Sequence, residues 1–217
     1  MPIQPSQSSQ PGQPEHPQLY LLTPPSFDPA PFADVLARVL DAVPVACLRL
    51  AMAGNDEDAI SRAADTLRET AHARDIALVI ERHVLLAERL GLDGVHLPRG
   101  THSIRKLRET LGVDAIIGVD CGHSRHDGLN AAEAGADYVS FGPVGESPLG
   151  DGARAGQDLF EWWSEVIEVP VVAEGALTPA LVEMLAPMTD FLAIGDEIWT
   201  AEDPLAALRR LLAPLDL

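Results

Sequence analysis

Short apolar runs alternate with longer amphipathic ones along nearly the whole chain. The apolar runs are "LYLLT" (19–23), "VACLRL" (45–50), "IALVIE" (76–81), "DGVHL" (93–97), "AIIGVD" (115–120), "YVSFG" (138–142), "PVVAEG" (170–175) and "DFLAIG" (190–195). Each has strand length and is followed by a stretch with helical spacing of apolar positions. The predicted helices begin near Pro29, run from about Asp56 to Arg74, from His83 to Leu90, from Thr101 to Leu111 and from about Ser124 to Ala134. Three more lie near Asp158–Ile167, Pro179–Met184 and Pro204–Leu212.

Eight strand–helix units in succession imply parallel strands joined by crossover helices. The strands are continuous apolar runs, as strands covered on both faces should be. Eight units in about 200 residues fit a single α/β domain, a closed (β/α)8 TIM barrel with parallel strands. The competing arrangement is a doubly wound open sheet, but no GxGxxG follows the first strand to favour it. In either fold a ligand binds at the carboxyl ends of the strands. The stretch "AIGDEIW" (193–199) therefore puts Asp196 and Glu197 near the expected mouth.

Composition narrows the function classes. The 217 residues carry 15 Lys and Arg against 33 Asp and Glu, a net charge of -18. That excess opposes nucleic-acid binding, which needs basic patches to neutralise phosphates. It opposes docking on anionic membranes for the same reason. Cys47 and Cys121 make neither a disulfide framework nor a metal-finger spacing. Reduced thiols in a cytoplasmic protein are expected. Residues 1–18, "MPIQPSQSSQPGQPEHPQ", are rich in Pro, Gln and Ser and lack the apolar core of a signal peptide. They are expected to be a disordered tail ahead of a barrel spanning 19–217.

Several segments together resemble the thiamine phosphate synthase and TenI family: "LYLLT", "CLRL", "LGLDGVHL", "IIGVDCGHS", "AGADYVSFGPV", "PVVAEGAL" and "DFLAIGDEI". They occur in the family's order from about Leu19 to Leu212. The resemblance implies a (β/α)8 barrel, a place in thiamine biosynthesis, and a transferase that joins a pyrimidine pyrophosphate to a thiazole phosphate with Mg²⁺. Several family positions are changed here. The Gln-Leu-Arg-Glu-Lys pattern after the second strand is Cys47-Leu48-Arg49-Leu50-Ala51, so its lysine is absent. Asn-Asp after the third strand is Glu81-Arg82, and an arginine cannot ligate a cation. Gly-Gln-Glu-Asp after the fourth is Pro98-Arg99-Gly100-Thr101. Both Mg²⁺ carboxylates are thereby replaced, although Glu81 could serve if its loop shifts. The Thr-Pro-Thr-Lys stretch is Ser147-Pro148-Leu149-Gly150, which keeps one hydroxyl. A TenI tautomerase has a catalytic His where this chain has Pro143, so no catalytic residue carries over.

In the family a phosphate rests on the loops after strands seven and eight, where amides and helix N-termini suit an anion. Here those loops read Glu174-Gly175-Ala176-Leu177 and, after the eighth strand, Asp196. A carboxylate beside a phosphate is repulsive. Either the acids occupy the anion site themselves, or the ligand carries no phosphate. The expectation for Asp196 is that it accepts hydrogen bonds from backbone amides at the next helix or near Gly175.

Glu81, Asp120, Glu174 and Asp196 all fall at carboxyl ends of strands. They form a pocket for a cation or metal, a mouth neutralised by Arg49 and Arg82, or helix caps in solvent. "DCGHSRH" (120–126) offers Cys121 and His123, too few for a zinc site. Capping of the next helix by His123 and Ser124 is the reading adopted there. His96 is expected as a hydrogen-bonded core histidine, with a general base as the other reading. Trp162 and Trp163 are expected in the core, and the glycine-rich 142–156 stretch as a lid over the mouth.

The candidate ligand-binding residues are Arg49, Glu81, Arg82, His96, Asp120, His123, Ser147, Glu174, Gly175 and Asp196. No metal ligand is assigned, and no cofactor beyond the family's Mg²⁺ is implied. The expected partner is a small heterocyclic molecule, with no nucleic acid or membrane, and a homodimer is left open. Three functions stay in view: a barrel with the Mg²⁺-pyrophosphate chemistry weakened or lost, an authentic divergent synthase, and a noncatalytic regulatory barrel.

Overall fold

The computed structural model describes residues 16–100, 103–146 and 152–215. Eight strands run β1 (Gln18–Leu22), β2 (Cys47–Leu50), β3 (Ala77–Glu81), β4 (Gly94–Leu97), β5 (Ile116–Asp120), β6 (Tyr138–Phe141), β7 (Val171–Glu174) and β8 (Phe191–Ile194). They pair in chain order, all parallel, and β8 closes onto β1. The helices α1 (Pro29–Leu40), α2 (Glu57–His72), α3 (Val84–Leu90), α4 (Ile104–Leu111), α5 (Arg125–Ala134), α6 (Gln157–Val166), α7 (Pro179–Leu185), α8 (Asp196–Trp199) and α9 (Pro204–Leu212) follow the strands. The (β/α)8 TIM barrel is thus formed as the strand–helix alternation predicts.

Two departures from expectation are local. Gln18, assigned to the tail, is the first residue of β1 and pairs with Phe191. The "DEIW" stretch is itself a single helical turn, α8, ahead of the expected final helix. The rest of the expected tail (1–15), together with Thr101 and the 147–151 part of the expected lid, lies outside the described residues.

Period-two alternation sorts the strand residues into two cores. Leu19 and Leu21, Leu48 and Leu50, Leu78 and Ile80, Val139 and Phe141, and Leu192 and Ile194 face outward and pack under the helices. Tyr20, Cys47, Val79, Tyr138, Val172 and Ala193 face inward and fill the barrel. The inward layer leaves a cavity of about 160 Å³ toward the amino-terminal end, lined in part by Gln18, Cys47, Ile116 and Phe191. Gly118 makes the filling possible, because a Cβ there would overlap the Tyr138 ring.

The amino-terminal ends are tied by a repeated device. Asp93, Asp137 and Asp190 stand just before β4, β6 and β8, and each carboxylate accepts an amide from the strand before. The donors are Leu78 (2.7 Å), Ile117 (2.7 Å) and Val171 (2.8 Å). Buried amides left without an acceptor would cost about 1–3 kcal/mol each. Trp163 on α6 is fully buried and packs on Phe141, as expected of a core residue. Trp162 is only partly buried and carries Arg125 over its ring at 5.0 Å.

Candidate active site

The carboxyl ends of the strands converge on one mouth, and the last inward residue of each strand points into it. On β2, Leu48 and Leu50 take the outer face, so Arg49 between them is turned inward. Arg49 is only 3% exposed. Its Nη2 donates to Glu174 Oε2 at 2.9 Å, across the barrel from β7. The guanidinium lies over the Tyr20 ring, 5.6 Å from its centroid. Arg49 Nε and Nη1, and the hydroxyl of Ser140, are buried without a hydrogen-bond partner.

Burial pushes the Glu174 carboxyl above its ordinary value; Arg49 pulls it back, and Asp120 adds to the rise. Burial also works against the Arg49 charge, but Glu174, Tyr20 and Tyr138 together more than offset it, so Arg49 stays protonated. The result is a buried ion pair on the barrel axis.

Below it runs a chain of buried polar groups. The Tyr20 and Tyr138 hydroxyls lie 2.6 Å apart. His96 Nδ1 lies 3.0 Å from the Tyr138 oxygen, with the two rings stacked at 5.7 Å. Burial holds His96 well below its ordinary value, and Arg49 depresses it further, so the ring is neutral. The expected hydrogen-bonded core histidine is therefore what the geometry gives. Burial raises both tyrosines well above their ordinary range, Tyr20 further through Tyr138.

The remaining acids are also engaged. Glu81 ends β3 and pairs with Arg82 at 2.6 Å. Arg82 adopts a left-handed φ of 59° and donates its amide to the His96 carbonyl at 2.8 Å. Asp120 ends β5, accepts the Gly122 amide at 2.8 Å and lies 3.8 Å from Arg99. Of the arrangements left open by the sequence, neutralisation by Arg49 and Arg82 matches the geometry of Glu174 and Glu81, with Arg99 as a third partner beside Asp120, while Asp196 lies exposed in the first turn of α8.

The loops after β7 and β8 frame a cavity of about 290 Å³, lined by Thr23, Ala51, Gly175, Gly195, Asp196 and Glu197 among others. Gly175 turns this loop with φ 88°. Here Asp196 departs from its expected role. Its side chain is exposed and accepts no backbone amide among the described residues. Glu197 takes that place: Oε2 accepts the Gly195 amide at 2.8 Å and Oε1 the Leu177 amide at 3.0 Å. The reason is geometric. The α8 turn starts at Asp196 and sends its short arm outward, whereas the longer arm of Glu197 folds back across both loops.

His123 is exposed on the loop after β5. It does not cap α5; Ser124 does so alone, accepting the Asp127 amide at 3.1 Å. Ser147 lies outside the described residues. Tyr20, Tyr138 and Arg99 were missed from the sequence, and Glu197 was placed near the mouth without a role. Alternation within "LYLLT" and "YVSFG" could have placed the two tyrosines inward. Nothing in the sequence distinguishes Glu197 from its neighbour Asp196.

Among the described residues, the mouth carboxylates Glu81, Asp120 and Glu174 are held by arginines rather than left free for Mg²⁺. No group of three His, Cys, Asp or Glu side chains among the described residues is arranged to hold a metal ion. Mg²⁺ is ordinarily held by one or two carboxylates together with substrate phosphates, and each of these carboxylates would have to leave its arginine to serve.

Comparison with known proteins agrees with this architecture. A chain 42% identical over 187 residues, covering 84% of this chain and 89% of its own, is the thiamine-phosphate synthase of Rhodospirillum centenum. That of Erythrobacter litoralis is 39% identical over 195 residues, covering 87% of this chain and 91% of its own. Among solved structures, thiamine phosphate pyrophosphorylase from Pyrococcus furiosus superposes with a TM-score of 0.74. It is 24% identical, with 92% of this chain and 95% of that chain covered, which speaks to fold alone. The family model for thiamine monophosphate synthase matches residues 19–196, the stretch that builds the strands and the mouth. The chain belongs to the thiamine monophosphate synthase family.

Proposed function

We propose that this chain is a thiamine phosphate synthase-type barrel that binds a small heterocyclic ligand at the carboxyl ends of its strands, with the Mg²⁺-pyrophosphate chemistry weakened or lost. The observation that carries this reading is the Glu81–Arg82 pair at the end of β3. A cation stands where the resemblance has a magnesium carboxylate, and it pairs with the neighbouring acid. Ala51 lines the mouth where the resemblance has a lysine. The ligand-binding role of Arg49, Glu81, Arg82, His96, Asp120, Glu174, Gly175 and Asp196 is part of this proposal. So is a cytoplasmic location, for which the unpaired thiols of Cys47 and Cys121 speak. Among the described residues no helix is long and apolar enough to cross a membrane.

Turnover of the pyrimidine pyrophosphate and thiazole phosphate, with and without Mg²⁺, tests the reading. Loss of one preorganised charge contact costs on the order of 100-fold in rate, and several lost together cost more, though not additively. Thiamine phosphate formation is expected to be at least about 100-fold below that of a relative such as the Rhodospirillum centenum chain. An ordinary, Mg²⁺-dependent rate would instead establish the second reading, an authentic divergent synthase. That reading is favoured by the 42% identity to a chain named thiamine-phosphate synthase. Ligand binding with no turnover at all would point to a regulatory barrel.

A further inference from the structure

We infer that Glu174 and Glu197 set the ligand class of the mouth: they neutralise the groups that would otherwise receive an anion, so the site takes an uncharged heterocycle rather than a phosphate ester or a pyrophosphate. This rests on the mouth being the ligand site, as proposed above, and names what it admits.

Two separate observations carry the inference. The first is the Arg49–Glu174 pair. A buried arginine turned into a barrel mouth is a natural anion receptor, since its planar fork matches phosphate oxygens. Here Glu174 already takes Nη2 at 2.9 Å. An arriving phosphate meets an attraction to Arg49 and a repulsion from Glu174 at similar range, and these largely cancel. It still loses its hydration on entry. Glu81 and Asp120 act in the same direction, since both contribute to the field felt at this pair. Arg49 Nε and Nη1 remain buried without partners. A ligand that reached them would need only a ring nitrogen or a carbonyl oxygen, and such an acceptor brings no charge.

The second observation lies on different loops. The Gly195 and Leu177 amides converge from the loops after β8 and β7, and both donate to the one Glu197 carboxylate. A phosphate could use these donors only by displacing Glu197. The displaced charge would stay at the cavity wall, which Glu197 and Asp196 both line. The same cavity is also lined by Leu22, Pro25, Ala51 and Ala193, which suits an apolar ring.

The test is calorimetric titration at low ionic strength, where screening does not hide charge effects. The probes are inorganic pyrophosphate and a matched pair, hydroxyethylthiazole and its phosphate ester. The proteins are the parent, Glu174→Gln and Glu197→Gln. Glutamine keeps an oxygen for the Arg49 or backbone donor and removes only the charge. The parent is expected to bind the alcohol at least as tightly as the ester. Glu174→Gln is expected to bind pyrophosphate about tenfold more tightly than the parent. Each substitution should raise the ester-to-alcohol affinity ratio about tenfold. Should Glu174→Gln fail to fold by circular dichroism, Glu197→Gln reads the same effect from a different loop. Parent binding of pyrophosphate or ester as tight as in the variants overturns the inference, and so does the absence of any gain in either variant. The turnover assay above is independent of these titrations. A failure of the proposed function therefore appears as Mg²⁺-dependent synthesis, and a failure of the charge argument appears as unchanged anion binding.

Discussion

Arg49 and Glu174 meet at 2.9 Å inside the barrel, from strands β2 and β7, three places apart around the closed sheet, with side chains 4% and 19% exposed. Removing one partner of a buried pair leaves the other charge uncompensated, typically at about 3–5 kcal/mol. Glu174→Ala is expected to lose roughly 3 kcal/mol of unfolding free energy, the low end of that range because Glu174 retains some solvent. The double change Arg49→Met with Glu174→Leu should recover most of the loss, since an apolar pair of similar volume has no charge to desolvate. Urea unfolding of the three variants checks both statements. Additive losses in the double variant would count against the pair as a coupled unit.

His96 supplies a pH signature. Its folded value lies well below its ordinary 6.5, through burial first and Arg49 second. The sign follows from linkage: the neutral ring contributes stability that is present above the unfolded value. That stability is lost as pH falls from about 6.5 toward the folded value, because only the unfolded chain takes the proton. One such proton sets a ceiling of about 1.4 kcal/mol per pH unit. The parent should therefore lose more stability than His96→Gln between about pH 7.5 and pH 5.5. Equal slopes for the two proteins would show that His96 takes up its proton in the folded state as well.

Gly128 lies within α5, where glycine is ordinarily about 1 kcal/mol worse than alanine. A Cβ here would stand 2.6 Å from the Trp163 ring and 2.8 Å from that of Phe141. Both rings are fully buried and have no room to withdraw. Overpacking of this kind costs about 1–3 kcal/mol. Gly128→Ala is thus expected to lower thermal stability, against the helix-propensity trend. A raised melting temperature would show that α5 can shift outward.

The two cysteines should be silent in the native protein. Burial pushes the Cys47 thiol up to about 12. It does the same to Cys121, with Asp120 adding to the rise. The thiolate is the reactive species, so neither residue should react with a disulfide reagent near neutral pH. Both should react on addition of denaturant. Rapid labelling of Cys47 in the folded state would show that it is reached through the cavity it lines at the amino-terminal end.

The sequence by itself determined the barrel. Apolar runs of strand length, each followed by a helical period, leave few ways to bury both faces of a sheet, and closure into a parallel barrel is one of them. It also determined which residues reach the mouth: Glu81, Asp120 and Glu174 end their strands because alternation and strand length put them there. The identity of each acid's partner was beyond its reach. Arg49 and Glu174 are 125 positions apart and meet only because the sheet closes. Tyr20 and Tyr138, 118 apart, meet in the same way, in the space left by Gly118. The choice between Asp196 and Glu197 was decided by tertiary structure at the finest scale. Adjacent acids look alike in a sequence, but a single helical turn points one into water. It folds the other, one methylene longer, onto amides from two different loops.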